Sequence, residues 1–247
     1  MEEAMIPKKI HYCWFGGNPY PPLVEKCINS WKKNMPDYEL VEWNESTFDI
    51  ESNAFVKEAF EAKKYAFVSD YVRLFALYNL GGIYMDTDVE VIKPLTPFLH
   101  LQAFTGREGG NTCVTGTMGS VKGHLWIKAL LDYYNDRSFL SDDGMNTNTK
   151  IITEITHEMF EIKTNVTDIF SSDELTIFPF EYFCAKDFIT GKVIIQNTTY
   201  TIHHYSGSWL TTKQKRKNEI VKILRKITGP KIFKILYDLK NSTKNIR

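Results

Sequence analysis

Cysteine is scarce in this sequence, and its spacing excludes two kinds of protein. The four cysteines stand at positions 13, 27, 113 and 184, so there is no C-x-x-C pair and no zinc-finger spacing. A disulfide-stapled secreted fold and a structural zinc module are therefore both excluded. A reducing compartment fits this cysteine usage best.

Long apolar runs are lacking as well. No stretch approaches the roughly 20 apolar residues that a membrane-spanning helix needs. The first residues, MEEAMIPKK, have no apolar core of the kind found in signal peptides. We therefore expect a cytoplasmic protein.

A net charge of either sign is also absent, because 30 Lys and Arg cancel 30 Asp and Glu. The cancellation is uneven along the chain. Residues 213–247 hold twelve basic and two acidic residues, about +10, which leaves 18 against 28, about −10, for residues 1–212. We expect a single folded domain over residues 1–212 and a basic tail over residues 213–247.

Strand-like and helix-like segments alternate along the acidic part of the chain. Strands are predicted at residues 9–15, 38–43, after the glycine pair 81–82, at 176–184 and at 199–205. Helices are predicted at residues 23–34, at 69–80 with Ser69 as N-cap, at 124–134 and at 149–160. This alternation predicts an α/β fold with an open, mainly parallel central sheet covered by helices.

One strand runs directly into two aspartates, in the segment GGIYMDTDVE at residues 81–90. Alternation along a strand would place Asp86, Asp88 and Glu90 on one side. A strand that ends near Met85 would put these carboxylates at its carboxyl end, where open α/β sheets bind ligands. Such hard oxygen ligands suit Mg²⁺ or Mn²⁺, which can bridge a diphosphate. The alternative is a solvated, charged strand end.

The segment SDYVRLFALYNLGGIYMDTD, residues 69–88, strongly resembles the signature of the family 32 glycosyltransferases: S-D-x-x-R, an apolar helix, G-G-x-Y and D-x-D. IPKKIHYCWFG at residues 6–16 resembles the opening block of that family, and IHHYSGSW at residues 202–209 resembles its closing block. The resemblance spans residues 6 to about 210 and points to the bacterial branch that builds capsular and exported polysaccharides. Clostridial toxin glucosyltransferase domains and yeast outer-chain mannosyltransferases are similar at a greater distance. The resemblance implies a GT-A fold, a nucleotide-sugar donor, a divalent metal and transfer with retention.

The resemblance also implies roles for residues on the donor side. Trp14 would stack on the nucleobase, with a buried core tryptophan as the alternative. Asp70 would accept hydrogen bonds from sugar hydroxyls, and Arg73 would donate to the sugar or the diphosphate. Ser208 and Trp209 would close over the diphosphate.

The same resemblance implies a metal site. Asp88 is the expected direct ligand, and Asp86 is expected to contact ribose, sugar or the metal through water. His203 and His204 point to opposite faces of a strand, so only one of them can reach the metal. The spacing to the end of the closing block selects His204.

One block departs from the family pattern. Where many members carry T-G-P, this chain reads GMNTNTKIIT from residue 144. Residues 147–149, with Asn148 as the catalytic candidate, face the acceptor and the anomeric carbon in one interpretation and are a polar helix start in the other. Asp142 and Asp143 stay open as nucleophiles for a double displacement.

The function implied is metal-dependent transfer of a hexose from a nucleotide sugar to a saccharide acceptor in polysaccharide biosynthesis, with Mn²⁺ or Mg²⁺ as cofactor. A UDP-sugar is the favoured donor and GDP-mannose the runner-up. No nucleic-acid partner is expected. Two other classes stay open: a metal-dependent phosphohydrolase, and a non-catalytic nucleotide-sugar-binding module.

The tail has its own pattern. Ile220, Ile223, Leu224 and Ile227 recur at helical spacing among lysines and arginines, and a second such set follows Gly229–Pro230. Two basic amphipathic helices are predicted. Their apolar faces either pack on the folded domain or lie on an anionic membrane surface, where they would bring the enzyme to a lipid-linked acceptor at the inner face of the membrane.

Overall fold

The structure is a computed structural model that describes residues 5–109, 112–113, 116–139, 148–162, 168–187 and 190–207, together with residues 216, 220–221, 223, 227–229 and 232. The strands in these residues are β1 (Lys9–Cys13), β2 (Glu39–Trp43), β3 (Gly82–Met85), β4 (Val89–Val91), β5 (Ala103–Gly109), β6 (Thr112–Cys113), β7 (Thr117–Ser120), β8 (Phe170–Ser171), β9 (Thr176–Phe178) and β10 (Thr201–His203). The helices are α1 (Pro22–Asn34), α2 (Ala54–Glu61), α3 (Tyr65–Leu80), α4 (Leu125–Asp132), α5 (Asn148–Met159) and α6 (Phe180–Phe183).

The main sheet has the strand order β2-β1-β3-β7-β5-β9-β8, with β6 paired to β5. β1 runs parallel to both β2 and β3, and β5 runs parallel to β9, whereas β7 is antiparallel to its neighbours β3 and β5. Five of the eight described strands of this sheet therefore point the same way. The predicted α/β fold with a mainly parallel sheet is confirmed.

A second, two-stranded sheet decides the position of the late part of the chain. β10 pairs antiparallel with β4, so that His203 lies opposite Val89 and Thr201 lies opposite Val91. β4 follows the two aspartates of the motif directly. This pairing therefore brings His203 beside the aspartates.

The core lies on both faces of the main sheet. On one face α2, α3, α4 and α5 bury an aromatic-rich cluster that includes Phe55, Tyr71 and Trp126. On the other face α1 and α6 bury a cluster around Trp31 and Phe104. Because side chains pack on both faces, β3, β7 and β9 are buried along their whole length, as expected for strands inside a covered sheet.

Most predicted elements are present, and their ends differ for local reasons. α3 begins at Tyr65, so the prediction of Ser69 as its N-cap is wrong; the Ser69 hydroxyl donates to the carbonyl of Tyr65 over 3.0 Å from inside the helix. The predicted end at the glycine pair is correct, because Gly81 has φ of 66°, a conformation that suits glycine.

The segment predicted as extended over residues 176–184 divides into two elements. β9 ends at Phe178, and α6 begins after Pro179, since proline at a helix start fits the helical φ but cannot continue the strand ladder. All four cysteines are free and buried. Among the described residues, no helix combines the length and apolarity needed to cross a bilayer.

Candidate metal centre and donor site

The two aspartates of the motif lie in the turn between β3 and β4. The N–H of Val89 donates to the carbonyl of Asp86 over 2.9 Å, which closes a four-residue turn. The indole N–H of Trp31 donates to the carbonyl of Val89 over 2.7 Å and fixes the far side of this turn. Strand alternation therefore does not decide where the carboxylates of Asp86 and Asp88 point.

The first aspartate of the motif, Asp86, belongs to a group of side chains around Arg73. We call this group the arginine cluster; its members are Asp70, Arg73, Tyr84 and Asp86. Arg73 is buried; its Nη2 donates to Asp70 Oδ1 over 2.8 Å, and its Nη1 lies 3.4 Å from Asp86 Oδ1. Its Nε donates to the carbonyl of Ser69 over 3.2 Å, and its guanidinium lies 4.6 Å from the centre of the Tyr84 ring. The Tyr84 hydroxyl donates to Asp86 Oδ1 over 3.0 Å. Arg73 thus spans two carboxylates, and Asp86 is held from two sides.

Asp70 occupies the inner end of this cluster. Burial raises the pKa of its carboxyl to about 6, although the charge of Arg73 acts in the opposite direction. The amide of Asn148, the first residue of α5, donates to Asp70 Oδ1 over 2.9 Å and is itself buried. The structure therefore places the predicted residues Asp70, Arg73, Asp86 and Asn148 in one connected network.

A histidine cluster, formed by Asp88, His203 and Glu108, lies beside it. His203 Nε2 is 3.3 Å from Asp88 Oδ1 and 4.0 Å from Asp86 Oδ2, and His203 Nδ1 is 3.8 Å from Glu108 Oε1. The backbone N–H of Ser206 donates to Asp88 Oδ2 over 2.6 Å. These contacts join the motif turn, β5 and the end of β10.

Electrostatics in this cluster follow from burial and charge. Burial alone would raise the pKa of Asp88, but the charge of His203 and the hydrogen bonds from His203 and Ser206 outweigh it and hold that pKa well below its usual range. Burial alone would lower the pKa of His203, but Asp88 outweighs it and raises that pKa well above its usual value. Burial raises the pKa of Glu108, against the charge of His203.

The two histidines lie in different surroundings, and the one beside the aspartates is not the one that the sequence spacing selected. His203 points to the aspartates, whereas His204 Nε2 lies 2.8 Å from Glu90 Oε2, which also pairs with Lys26 Nζ at 2.7 Å. The two imidazoles do diverge, as alternation requires. The expectation that Glu90 shares a face with the aspartates is wrong, because its carboxylate joins this separate group.

A divalent cation fits the residues that are present. Asp86, Asp88 and His203 each offer one ligand atom, and these atoms all lie within 4.8 Å of one another. Carboxylate and imidazole ligands suit such an ion. A side chain at Gly116 would meet Asp86 Oδ2 and His203 Cε1 at 3.1 Å, so glycine there lets the backbone approach the ligands closely.

The surrounding charge points the same way. The two clusters contain four carboxylates, those of Asp70, Asp86, Asp88 and Glu108, against two cationic side chains, those of Arg73 and His203. Partly buried carboxylates in formal excess over cations favour an added positive charge.

The remaining predicted residues are placed as follows. Trp14 follows β1 directly and is half-buried; its indole donates to the carbonyl of Asn18 over 2.6 Å, and its ring packs edge-on against Tyr20 at 5.1 Å. Since β1 is parallel to β3, Trp14 lies at the same edge of the sheet as the motif. Ser208 and Trp209 lie outside the described residues.

Residue 147 and the acidic pair at 142–143 also lie outside the described residues. Sequence reasoning missed Glu108 and the Tyr84 contact to Asp86. The signal for Glu108 was available, because it stands at the end of the strand-like run AFTG and is followed by glycines, as a ligand-facing strand end would be.

Residues 21–105 match the sequence family described as "Glycosyltransferase sugar-binding region containing DXD motif". This segment includes the whole arginine cluster and both aspartates of the motif. Over this segment the chain is similar to the DXD glycosyltransferases. The α/β architecture and this match together agree with the expected GT-A fold.

Two curated relatives and one solved structure show the range of similarity. Inositol phosphoceramide mannosyltransferase 3 of Schizosaccharomyces pombe is 34% identical over 133 residues, which are 51% of this chain and 36% of the relative. Subversion of eukaryotic traffic protein A of Legionella pneumophila is 25% identical over 194 residues, 66% of this chain and 29% of the relative.

The solved structure is a glycosyltransferase involved in the glycosylation of the major capsid of PBCV-1. It is 12% identical, with a TM-score of 0.49, and the match covers 87% of this chain and 98% of that one. A likeness this distant says nothing of donor or acceptor. This chain spans about a third of the length of the curated relatives it matches.

Proposed function

We propose that this protein is a metal-dependent glycosyltransferase that moves a hexose from a nucleotide sugar to a saccharide acceptor, with retention at the anomeric carbon. The observation that carries the proposal is the convergence of Asp86, Asp88 and His203, with ligand atoms within 4.8 Å of one another, at the motif of the DXD family. Asp88, the second aspartate of the motif, and His203, the last residue of β10, are the proposed direct ligands of the metal.

A divalent cation held there would neutralise the charge that develops on the departing nucleoside diphosphate. The chain's own residues do the positioning. Asp86 is fixed by the hydroxyl of Tyr84 and by Arg73, and the N–H of Ser206 fixes Asp88. Asp70 keeps 14% of its side chain exposed and is available to accept from sugar hydroxyls. The work is electrostatic and positional.

In this proposal Arg73 does not contact the donor itself; it orients the carboxylates of Asp70 and Asp86. All three of its guanidinium nitrogens have partners within the protein, and 5% of its side chain is exposed. It therefore orients Asp70 and Asp86, whereas the sequence had suggested a direct bond to sugar or diphosphate. Trp14 supplies the nucleobase platform at the same sheet edge, and Ser208 and Trp209 close over the diphosphate.

The donor is a hexose nucleotide, and two candidates are tested side by side. The bacterial resemblance favours a UDP-hexose. Several relatives, including the fission-yeast protein above and the budding-yeast mannosyl phosphorylinositol ceramide synthases, are named for mannose transfer, which favours GDP-mannose. Mn²⁺ is preferred to Mg²⁺, because an imidazole joins the two carboxylates.

The test is incubation of the full chain with UDP-hexoses and with GDP-mannose, each with Mn²⁺, with Mg²⁺ and with EDTA. Release of nucleoside diphosphate and free sugar that needs the metal supports the transferase. Release of inorganic phosphate instead supports a phosphohydrolase. Metal-dependent binding without turnover of any donor supports a binding module.

The acceptor and the tail belong to the same proposal. We divide the chain into a catalytic domain at residues 1–212 and a basic helical tail at residues 213–247. The described tail positions 220, 221, 223, 227, 228 and 232 are helical. Four tail isoleucines, at positions 220, 223, 227 and 232, are 56–75% exposed, so much of their apolar surface faces solvent.

An exposed apolar face among lysines fits an anionic lipid surface, where a lipid-linked saccharide of polysaccharide biosynthesis would serve as acceptor. Flotation with anionic and neutral vesicles, at low and high salt, tests this. The full chain should float with anionic vesicles at low salt, and a chain ending at Thr212 should not. Equal flotation of the two chains would contradict the membrane role and leave the transferase proposal intact.

A further inference from the structure

The second ring nitrogen of His203 has no hydrogen-bond partner among the described residues, although it is buried. This nitrogen, Nδ1, lies 3.8 Å from Glu108 Oε1, while Nε2 of the same ring faces the aspartates. A buried ring nitrogen left unpaired is costly, so the carboxylate that lies beside it is expected to have a use.

Glu108 is held in place by the opposite side of the site. It lies in β5 with 24% of its side chain exposed, and its Oε2 accepts a hydrogen bond from the hydroxyl of Thr149 over 3.3 Å. Thr149 is the second residue of α5. One carboxylate oxygen is thus tied to α5, and the other is directed at the imidazole.

We propose that Glu108 is the positioning residue of His203: its carboxylate accepts from Nδ1–H and thereby turns the Nε2 lone pair toward a divalent cation between Asp86 and Asp88. The inference rests on the proposed function, since it assigns a role to that metal centre. Histidines that bind metals commonly donate their other ring N–H to a carboxylate, which fixes the tautomer and makes the ligand nitrogen more basic.

The geometry needs only a small movement. A shift of roughly 1 Å would bring Glu108 Oε1 to hydrogen-bond distance from Nδ1. The ring of Tyr205 lies 4.2 Å from the His203 ring, centre to centre, and limits how the imidazole can turn. Cys184 also interacts with the side chain of His203.

The arrangement also gives α5 a function at both clusters. Asn148 donates to Asp70 in the arginine cluster, and Thr149 donates to Glu108 in the histidine cluster. Adjacent residues at one helix start therefore reach the two halves of the site. The polar run at this helix start, which the sequence left between two interpretations, contacts site residues directly.

The experiment measures Mn²⁺ binding by the full chain without donor, by electron paramagnetic resonance titration, and the ¹⁴N coupling of bound Mn²⁺ by electron spin-echo spectroscopy. Glu108→Gln keeps the shape and removes the charge, so we expect Mn²⁺ affinity to fall about tenfold; Glu108→Leu should lower it further, toward about a hundredfold. The ¹⁴N coupling should change in both variants, while their melting temperatures stay close to wild type.

Two matched controls separate positioning from structure. Cys184→Ala removes another side chain that interacts with His203 and should keep wild-type Mn²⁺ affinity. Thr149→Val removes the contact that holds Glu108 and should lower Mn²⁺ affinity less than Glu108→Gln does. Unchanged Mn²⁺ affinity and ¹⁴N coupling in a folded Glu108→Gln chain would overturn the inference. So would a loss in Cys184→Ala equal to that in Glu108→Gln. A wild-type chain that binds no Mn²⁺ would overturn the proposed function as well, which distinguishes the two failures.

Discussion

The arginine cluster and the histidine cluster lie side by side but are assembled differently. The arginine cluster draws Asp70, Arg73, Tyr84 and Asp86 from α3 and β3, which are consecutive along the chain. The histidine cluster draws its members from the motif turn, from β5 and from the end of β10, and exists only because β10 pairs with β4. Local spacing therefore specifies the first cluster, and long-range strand pairing specifies the second.

The two clusters also differ in how their charge is balanced. In the arginine cluster one guanidinium bridges two carboxylates, so the ion pairs are made without any ligand. In the histidine cluster one imidazole faces carboxylates on both of its nitrogens. The first is a complete structural unit, and the second has the character of a site that binds a cation. The predictions below test this contrast.

The largest effect should follow from removal of the bridging arginine. Arg73→Met leaves two carboxylates near each other without their cation, and breaking a buried pair in this way costs about 3–5 kcal/mol of unfolding free energy. Urea unfolding measures it. Lys26→Met, which removes an exposed pair with Glu90, is the control and should cost less than about 1 kcal/mol. Equal losses in the two variants would show that the arginine cluster is not a structural unit.

Asp88→Asn should abolish metal-dependent chemistry while the fold is kept. It removes a ligand charge but preserves shape, so we expect donor cleavage with Mn²⁺ to fall by about a hundredfold or more. Glu90→Gln is the matched control, since Glu90 lies two residues away but outside the ligand group. Wild-type activity measured in EDTA as high as in Mn²⁺ would contradict the assignment.

The ionisation of Asp70 should make the free energy of unfolding depend on pH. Its folded-state pKa of about 6 lies above its usual value of 3.8, so the folded chain binds the proton more tightly. The resulting stability is fully present below about pH 4 and is lost as pH rises through 6, an effect on the order of 1–3 kcal/mol. Urea unfolding from pH 4.5 to 7.5 measures it. Asp70→Asn should flatten this dependence, and an equal slope in that variant would assign it to another group.

Replacement of His203 and replacement of His204 should affect Mn²⁺ affinity differently. His203→Ala removes an expected ligand and should weaken Mn²⁺ binding about tenfold or more, by analogy with the cost of losing supporting contacts around a metal. His204→Ala breaks only the contact with Glu90 and should leave Mn²⁺ affinity unchanged. Calorimetric titration of both variants decides this. The opposite result would restore the choice made from sequence spacing.

The smallest effect is expected for Trp14, which lies at the same edge of the sheet as the motif. Its replacement should reduce nucleotide affinity only modestly. Stacking of a base on an aromatic ring is worth about 1–3 kcal/mol, and we expect Trp14→Ala to lie near the lower end because the ring is half-buried already. Calorimetry with UDP and with GDP measures the loss. Unchanged affinity for both nucleotides in a folded variant would make Trp14 a packing residue.

Much of the site could be predicted where the residues are close in sequence. Asp70 and Arg73 are three apart on a helix and so share a face, and the aspartates follow a strand that ends at Met85. The histidines were harder. Alternation correctly predicted that His203 and His204 diverge, but which of them faces the aspartates depends on the register of β10 against β4, in which His203 lies opposite Val89.

The sequence by itself determined the α/β alternation, the end of α3 at its glycine pair and the order of charged residues around the motif, because helix and strand periods and glycine conformations act over a few residues. Only the tertiary structure decided that His203 meets Asp88, that Glu108 lies behind His203, and that Asn148 and Thr149 reach both clusters. Those contacts join segments far apart in the chain. Their geometry depends on strand register and on helix packing against the sheet. The spacing of residues along the chain does not specify either of these.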